Sequence, residues 1–155
     1  MQGPTRTMNL DEVRSYAGQE IGVSEWFTLD QDKINGFADL TEDHMFLHVN
    51  QEAAAATPYG GTIAHGLLTL SMMAVMAYQA VPGVEGTKMG VNYGYDKVRF
   101  MAPVKSGKRI RGHFSVKSVE DKGDGRFALN HDVTIEIEGE DKPALAAEWI
   151  TMVWM

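Results

Sequence analysis

The sequence predicts an α+β domain in which one long apolar helix is wrapped by a curved antiparallel sheet. Three observations support this fold class. Short helical segments with capping residues come first, a nearly continuous apolar stretch covers residues 63–81, and the rest of the chain alternates apolar and polar residues. Because the helices precede the strands, they are expected to pack on one face of the sheet. Residues 1–155 are expected to form a single domain.

Three short helices are predicted at residues whose side chains can accept a hydrogen bond from a first-turn N–H group. The first capping residue is followed by acids at 11 and 12, which suit the positive end of a helix dipole. Pro58 and the glycines at 60 and 61 end the last of the three helices. The predicted segments are 10–16, 30–39 and 51–56, capped by Asn9, Asp30 and Asn50.

The apolar stretch from 63 to 81 is the central feature of the sequence, and Pro82 and Gly83 end it. It is long enough to span a bilayer, but it contains His65 and Gln79 and lacks basic flanks. These features favour a helix that is buried on all sides within the protein. We therefore expect no membrane association.

Four strands are predicted after this helix, because the hydrophobic period changes to two residues. The clearest covers residues 126–138, where every second residue from Phe127 to Ile137, including His131, is expected to face inward. Glycine-containing turns at 123–125 and 139–141 bound this strand. The other predicted strands are 91–104, 110–117 and 145–153.

The charge and the lack of cysteine exclude several classes of protein. A formal net charge of -7 opposes binding to nucleic acid or to anionic lipid. Without cysteine the chain has no disulfide, no thiolate metal site and no cysteine nucleophile. Residues 1–7 lack the basic and apolar order of a signal peptide, so a cytoplasmic location is expected.

Basic residues are concentrated between 97 and 111, where Arg99, Lys105 and Lys108 are found. Such a stretch can bind a phosphorylated ligand. It is equally typical of a strand pair whose outer face is in water. The residues alone leave both interpretations open.

Asp43 and His48 are the candidate catalytic pair, five positions apart in a predicted loop. A carboxylate and an imidazole at this spacing can hold one water, which one group orients while the other exchanges its proton. Taken alone, such a pair is more often a surface feature. With His44 and His65 the same residues could also ligate a metal, but a chain without cysteine offers few further ligands, and no metal is expected.

Residues 59–66 lead into the long helix and contain glycines at 60, 61 and 66. Glycine lets a backbone approach a ligand closely, and the first N–H groups of a helix have no partner within it. Such donors suit a developing enolate oxygen. The alternative is that the glycines only turn the chain and that His65 packs in the core.

Residues 37–72 resemble the hydratase motif of the MaoC-like (R)-specific enoyl-CoA hydratases and dehydratases, a family with the hotdog fold. The motif has an aspartate, a histidine five positions later, a short helix led by asparagine or an acid, and Ala-His-Gly at the start of the hotdog helix. Here these are Asp43, His48, 50–52 and 64–66. Residues 99–104 are similar to the Arg-Phe-x-x-Pro-Val strand of the family, and the start at 92–94 looks most like the nodulation protein N-like branch.

The resemblance implies that water is added to trans-2-enoyl-CoA thioesters to give (R)-3-hydroxyacyl-CoA, or is removed in the reverse reaction. Asp43 and His48 would hold the catalytic water, and the N–H of Gly66 would stabilise the enolate oxygen. No metal, nicotinamide or flavin cofactor is implied, since coenzyme A enters with the substrate, and a homodimer or higher homo-oligomer is implied. Substrate-binding roles would fall to His65, Gly61, Ile63, Asn92 and Tyr93, and coenzyme A phosphates could contact Arg99, Lys105 or Lys108.

One departure from the family pattern is the pair Met45 and Phe46, where the family usually has Asn-Pro or Gln-Trp between the two catalytic positions. This keeps two alternatives open: a hotdog acyl-CoA thioesterase, and a subunit that binds acyl thioesters without turnover. The sequence does not give the acyl chain length, the physiological direction of the reaction, or the choice between coenzyme A and an acyl carrier protein.

Overall fold

A computed structural model describes residues 3–155 and has the predicted α+β architecture. Residues 1 and 2, part of the segment expected to contain no signal peptide, lie outside the described residues. The helices are α1 Leu10–Ser15, α2 Gln31–Thr41, α3 Phe46–Val49, α4 Gln51–Ala55, α5 Gly66–Ser71 and α6 Met73–Ala80. The strands are β1 Thr7–Met8, β2 Glu20–Val23, β3 Phe27–Thr28, β4 Gly83–Val84, β5 Met89–Phe100, β6 Arg109–Gly123, β7 Arg126–Ile137 and β8 Leu145–Trp154.

The main sheet has the strand order β2, β6, β7, β8, β5, with β3 also paired to β6. Its neighbours are antiparallel. The alternation predicted for β7 is confirmed, because Val133, Ile135 and Ile137 are buried while Asp132 and Thr134 are exposed. The long strand β5 forms one edge of this sheet.

The long helix begins at Gly66, at the end of the segment 59–66 that was predicted to lead into it, whereas the apolar stretch itself begins at Ile63. The N–H of Ile63 donates to the carbonyl of Leu47 (3.0 Å) and that of Ala64 to Val104 (2.8 Å), and these bonds hold the segment in an extended path. Met72 separates α5 from α6 but keeps a right-handed helical conformation. The two helices therefore form one slightly irregular rod.

This rod is not buried on all sides, which corrects the expectation that it would be. Met73, Met76, Ala77 and Ala80 are buried against the sheet. Leu67 is 59% exposed and Tyr78 46% exposed, because no element within residues 3–155 covers that side. One face of the helix is thus open in a single copy of the chain.

The short strands were missed because two to four residues cannot show a period of two. The pairs formed by β2 and β3 with β6 extend the sheet, and β1 pairs in parallel with β4. The strand predicted over 91–104 ends at Phe100, since the N–H of Met101 turns to the carbonyl of Ala144 (2.8 Å). The strand predicted over 110–117 continues to Gly123.

The predicted caps are present, with Asn9, Asp30 and Asn50 each accepting a hydrogen bond from a first-turn N–H. Within residues 3–155, the structure contains no helix with the length and apolar character needed to cross a membrane.

Candidate active site

Asp43 and His48 are brought together by a tight turn between α2 and α3. Glu42 ends α2 in the left-handed conformation (φ 62°), which directs the chain back across the helix end. Asp43 follows in the loop and is exposed, whereas His48 lies in α3 and is 7% exposed. A carboxylate oxygen of Asp43 and a ring nitrogen each of His48 and His65 lie within 4.8 Å of one another.

The ring of His48 is fixed by one hydrogen bond to the main chain. Its Nδ1 lies 2.7 Å from the carbonyl oxygen of Ile63. Since a carbonyl can only accept, Nδ1 carries the hydrogen and donates it. In the neutral ring, Nε2 then has a free lone pair, which is the form that can take a proton from water.

His65 supports both members of the pair. Its Nε2 donates to the main-chain carbonyl of Asp43 (3.0 Å), and its ring stacks on that of His48 with centroids 3.8 Å apart. Phe37 packs on the other side of the cluster, 4.9 Å from the His65 ring. These contacts suit a positioning role for His65, which is only 3% exposed; because it also lines the cavity in front of the pair, the substrate-binding role implied by the resemblance stays a prediction.

A polar network that the sequence analysis did not identify lies behind His48. Gln31 donates from Nε2 to the main-chain carbonyl of His48 (2.8 Å), and the Thr62 hydroxyl donates to Gln31 Oε1 (2.6 Å). The N–H of Thr62 donates to Gln51 Oε1 (3.1 Å). Glutamine and threonine in helices and loops carry no sequence signal for such a role, so only the structure reveals it.

A cavity of about 650 Å³ lies in front of the pair, a size typical of ligand pockets. Asp43, His48 and Gly66 line it together with apolar residues of the sheet and helix. A methyl group on Gly66 would lie 2.8 Å from the Phe100 ring, so only glycine allows this close approach. The other lining residues include Phe37, Leu67, Phe100, Val104 and Ala144.

Of the remaining predicted residues, Ile63 lines this cavity and Gly61 is buried beside the Gln51 side chain. Asn92 lies towards the other end of β5, where its Oδ1 accepts a hydrogen bond from the Trp149 indole. Tyr93 is 66% exposed on the same edge strand. Within one chain the structure therefore does not bring Asn92 and Tyr93 to Asp43 and His48.

The three candidate phosphate-binding residues have different surroundings. Arg99 and Lys105 are exposed, and Lys105 pairs through its backbone with Ile63 next to the cavity. Lys108 lies 3.5 Å from the Glu140 carboxylate. Arg99 and Lys105 are thus the better placed of the three to contact an anionic ligand.

His44 is separate from the candidate catalytic pair, Asp43 and His48. Its Nε2 lies 2.8 Å from the carboxylate of Asp39, and this hydrogen bond raises the pKa of His44 above its ordinary value. The side chain is about half exposed. His44 is therefore a natural control for the chemistry of His48.

The cluster of Asp43, His48 and His65 also offers three groups to a cation. One ring nitrogen of each histidine already donates to a main-chain carbonyl, an arrangement that also occurs behind metal ligands. A chelation experiment therefore has to decide between water and metal chemistry at this cluster.

Comparisons with known proteins agree on one family. A family model described as "MaoC like domain" matches residues 12–137. The chain is 49% identical over 147 residues to nodulation protein N of Rhizobium leguminosarum bv. viciae, covering 94% of this chain and 91% of that protein. It is 45% identical over 139 residues to 3-hydroxyacyl-thioester dehydratase Z of Mycobacterium tuberculosis, covering 90% and 91%.

A solved structure, the (R)-hydratase from A. caviae, superposes with a TM-score of 0.68 at 24% identity, covering 85% of this chain and 95% of that one. At this identity the likeness shows the shared hotdog fold. The chain therefore belongs to the MaoC-like dehydratase family and is a hotdog enzyme of the hydratase and dehydratase type.

Proposed function

We propose that the protein adds water to trans-2-enoyl thioesters to give (R)-3-hydroxyacyl thioesters, or removes it in the reverse reaction. The observation that supports this most directly is the convergence of Asp43 and His48 on one cavity beside the start of the long helix. A relative of 45% identity is named a 3-hydroxyacyl-thioester dehydratase, which supports the reaction class.

In the proposed mechanism, one water is held between the Asp43 carboxylate and Nε2 of His48. His48 takes a proton as the water oxygen attacks C3, and Asp43 orients the water by accepting its other hydrogen. The imidazolium then returns the proton to C2, so that the elements of one water are added to the same face. The hydrogen bond from Nδ1 to the Ile63 carbonyl stabilises the charged ring in between.

The negative charge that develops on the thioester oxygen needs a donor close to the cavity. Gly66 is the first residue of α5, so its N–H has no acceptor within the helix. We propose that this N–H binds the enolate oxygen, and the loss of such a donor typically costs ~3 kcal/mol of barrier. The close approach of Phe100 to Gly66 would hold the thioester against this donor.

The proposal also specifies the configuration of the product and coenzyme A as the carrier of the acyl group. The (R) configuration is supported by the residue pattern and by the shared fold with a protein named an (R)-hydratase. Arg99 and Lys105 would contact the phosphates of coenzyme A. Lys105→Glu should then raise the Michaelis constant for an enoyl-CoA, whereas Lys122→Glu, at the distant β6–β7 turn, should leave it unchanged.

A homodimer formed along β5 is the proposed assembly. β5 is an edge strand of twelve residues, and Met89, Val91 and Tyr93 expose apolar side chains on it. Long edge strands with exposed apolar residues tend to pair with another chain. Sedimentation should show a dimer for the wild type and a shift to monomer for Val91→Glu.

The experiment that tests the reaction is the ultraviolet absorbance of a short trans-2-enoyl-CoA mixed with the purified protein. We expect the conjugated enoyl band to disappear with wild type only, with Asp43→Asn as the comparison, and chiral analysis to give the (R) product. Release of free thiol would identify a thioesterase instead. Ligand binding without any product would identify a non-catalytic binding subunit.

A further inference from the structure

The hydrogen bond from His48 Nδ1 to the Ile63 carbonyl joins two segments that are weak on their own. The helix that carries His48, α3, has only four residues, and none of the described side chains caps its start. Residues 62–64 lie outside the strands of the main sheet and run in an extended path. A single helical turn is marginally stable without contacts to the rest of a protein. The geometry of this hydrogen bond therefore depends on what holds the two segments from outside.

The side-chain amide of Gln31 connects both segments to α2. Its Nε2 donates to the main-chain carbonyl of His48 (2.8 Å) and to Oδ1 of Asn35 (2.9 Å), and its Oε1 accepts from the hydroxyl of Thr62 (2.6 Å). Because both hydrogens and the oxygen of the amide have partners, turning the amide over would break all three bonds. Gln31 is the first residue of α2, an eleven-residue helix capped by the side chain of Asp30, so the amide stands on a firm element.

Thr62 is the buried member of this network. It is 2% exposed, so its polar groups need partners within the protein. Its hydroxyl has one hydrogen and two amide oxygens in reach, those of Gln31 (2.6 Å) and Gln51 (2.9 Å). The oxygen of Gln51 already accepts the N–H of Thr62 (3.1 Å), so we assign the hydroxyl hydrogen to the nearer oxygen, that of Gln31. The carbonyl of Thr62 accepts the N–H of Ser106 (2.9 Å), and these bonds together fix the path of the chain into Ile63.

We propose that Gln31 and Thr62 are positioning residues for His48. Thr62 adjoins the carbonyl that accepts from the ring, and Gln31 binds the carbonyl of His48 itself, so the pair sets the separation of the two main-chain segments. The ring is thereby held in the tautomer that has its hydrogen on Nδ1. The effect on turnover rests on the proposed function of His48 as the group that exchanges a proton with water, whereas the effect on the tautomer does not.

The chemistry of imidazole explains why such a device is needed. The hydrogen bond made by one ring nitrogen decides where the hydrogen of a neutral histidine lies, and a free histidine side chain favours Nε2. With its hydrogen on Nε2, His48 could not accept a proton from the water that faces this nitrogen. A shift of the Ile63 carbonyl away from the ring would therefore remove the base from part of the molecules.

The first test compares Thr62→Val with Thr62→Ser. Valine keeps the shape of threonine without the hydroxyl, whereas serine keeps the hydroxyl and loses only a methyl group. The NMR signals of the histidine ring nitrogens report the tautomer of His48 in alkaline buffer, where the rings are neutral. We expect the hydrogen on Nδ1 in wild type and in Thr62→Ser, and a mixture of both tautomers in Thr62→Val. A pure Nδ1–H tautomer in the valine variant, or a mixture in the serine variant as well, would overturn the proposal.

The second test separates turnover from binding. Gln31 and Thr62 are not among the residues that line the cavity in front of His48, so their loss should leave the Michaelis constant for an enoyl thioester nearly unchanged. Thr62→Val should lower kcat by about 10- to 100-fold, since a misplacement of about 1 Å at a reacting group can cost the upper figure. Gln31→Met, which keeps the chain length and removes the amide, should act alike. Thr62→Ser should restore most of kcat, and a failure to restore it would reduce Thr62 to a structural role.

Ser24→Ala is the matched control for the loss of a buried hydroxyl. Ser24 is 5% exposed, and its hydroxyl accepts the N–H of Gly112 (2.9 Å) and donates to the carbonyl of Glu25 (2.8 Å) just after the end of β2. Thermal unfolding should show a loss of stability similar to that of Thr62→Val, while the His48 tautomer and kcat stay as in wild type. A mixed tautomer in this control would mean that general loosening of the fold releases the ring, against the proposal.

The positioning role and the proposed function can fail separately. A protein that hydrates no enoyl thioester but shows the tautomer change in Thr62→Val would support the positioning role and remove the proposed function. An active protein whose His48 tautomer and kcat are the same in wild type and Thr62→Val would keep the proposed function and remove the positioning role.

Discussion

The two ends of the long helix place a buried histidine in opposite situations. At the N-terminal end, His48 has one nitrogen fixed by the Ile63 carbonyl and a carboxylate close by. At the C-terminal end, His131 has an apolar wall and, within the described residues 3–155, no hydrogen-bond partner for either nitrogen. We infer from this comparison that burial alone does not prepare a histidine for acid–base chemistry. A fixed tautomer and a neighbouring group that can share a water are also needed.

The largest expected effect is on turnover and concerns Asp43 and His48, at the N-terminal end of the long helix. Asp43→Asn and His48→Ala should each lower turnover by ~10²- to 10⁴-fold, because general acid and base groups contribute about this much. The folded state should persist, as judged by circular dichroism. His44→Ala is the matched control, since His44 is the neighbouring histidine paired to Asp39 outside the cavity. Wild-type rates in both catalytic variants would disprove the assignment.

The second prediction concerns His131, at the other end of the long helix, and the pH dependence of the protein's stability. Burial lowers the pKa of His131 from 6.5 to about 4, so the unfolded chain takes up this proton at a higher pH than the folded protein. The free energy of unfolding is therefore unaffected by this group above pH 6.5. It decreases as the pH falls from 6.5 to about 4, by roughly 3 kcal/mol in total.

The measurement is the free energy of unfolding between pH 7 and pH 4 for wild type and His131→Phe. The phenylalanine variant cannot gain the proton and should lose less stability over this range. Identical pH profiles of the two proteins would show that His131 is not held neutral by the fold.

The third prediction compares glycines at the two ends. A methyl group on Gly22 would lie 2.0 Å from the carbonyl oxygen of Ala80, a main-chain atom at the end of α6. One on Gly66 would meet the half-exposed ring of Phe100, which can move aside. We expect Gly22→Ala to cost about 3 kcal/mol of stability and Gly66→Ala about 1 kcal/mol, the latter with loss of activity.

Thermal unfolding of both variants tests this difference, with Gly36→Ala as control. Nothing lies within 4 Å of a methyl group on Gly36, which sits inside α2, so alanine there should be neutral or slightly stabilising. Equal losses at positions 22 and 66 would mean that Phe100 is held as rigidly as the main chain.

The smallest effect on turnover is expected when metal ions are removed by a chelator. If Asp43, His48 and His65 hold water and no metal, dialysis against EDTA should leave turnover unchanged. Loss of activity that returns with a divalent cation would assign the cluster to a metal instead.

The sequence predicted the parts of the fold that repeat over many residues. The alternation in 126–138 predicted β7 within one residue, and the capping residues predicted α1, α2 and α4. The apolar stretch alone does not show that residues 63 and 64 lie outside the long helix, since bonds to Leu47 and Val104 hold them in an extended path. Such contacts are distant along the chain and leave no local pattern.

The same reason limits what could be said of the surroundings of the two histidines. The spacing of Asp43 and His48 predicted that they converge, but not that His65 would hold the Asp43 carbonyl or that Gln31 would hold His48. His131 was predicted to face inward, yet its lack of partners depends on residues from several elements.

The hydrogen bonds that hold the candidate catalytic pair in place run almost entirely through main-chain carbonyls, those of Asp43, His48 and Ile63. Every residue type supplies such an oxygen, so the scaffold places little restriction on the side chains that lie between the pair. Met45 and Phe46, each nearly half exposed, occupy those positions. Their side chains take part in none of these bonds, so replacing either one should leave the positions of Asp43 and His48 unchanged.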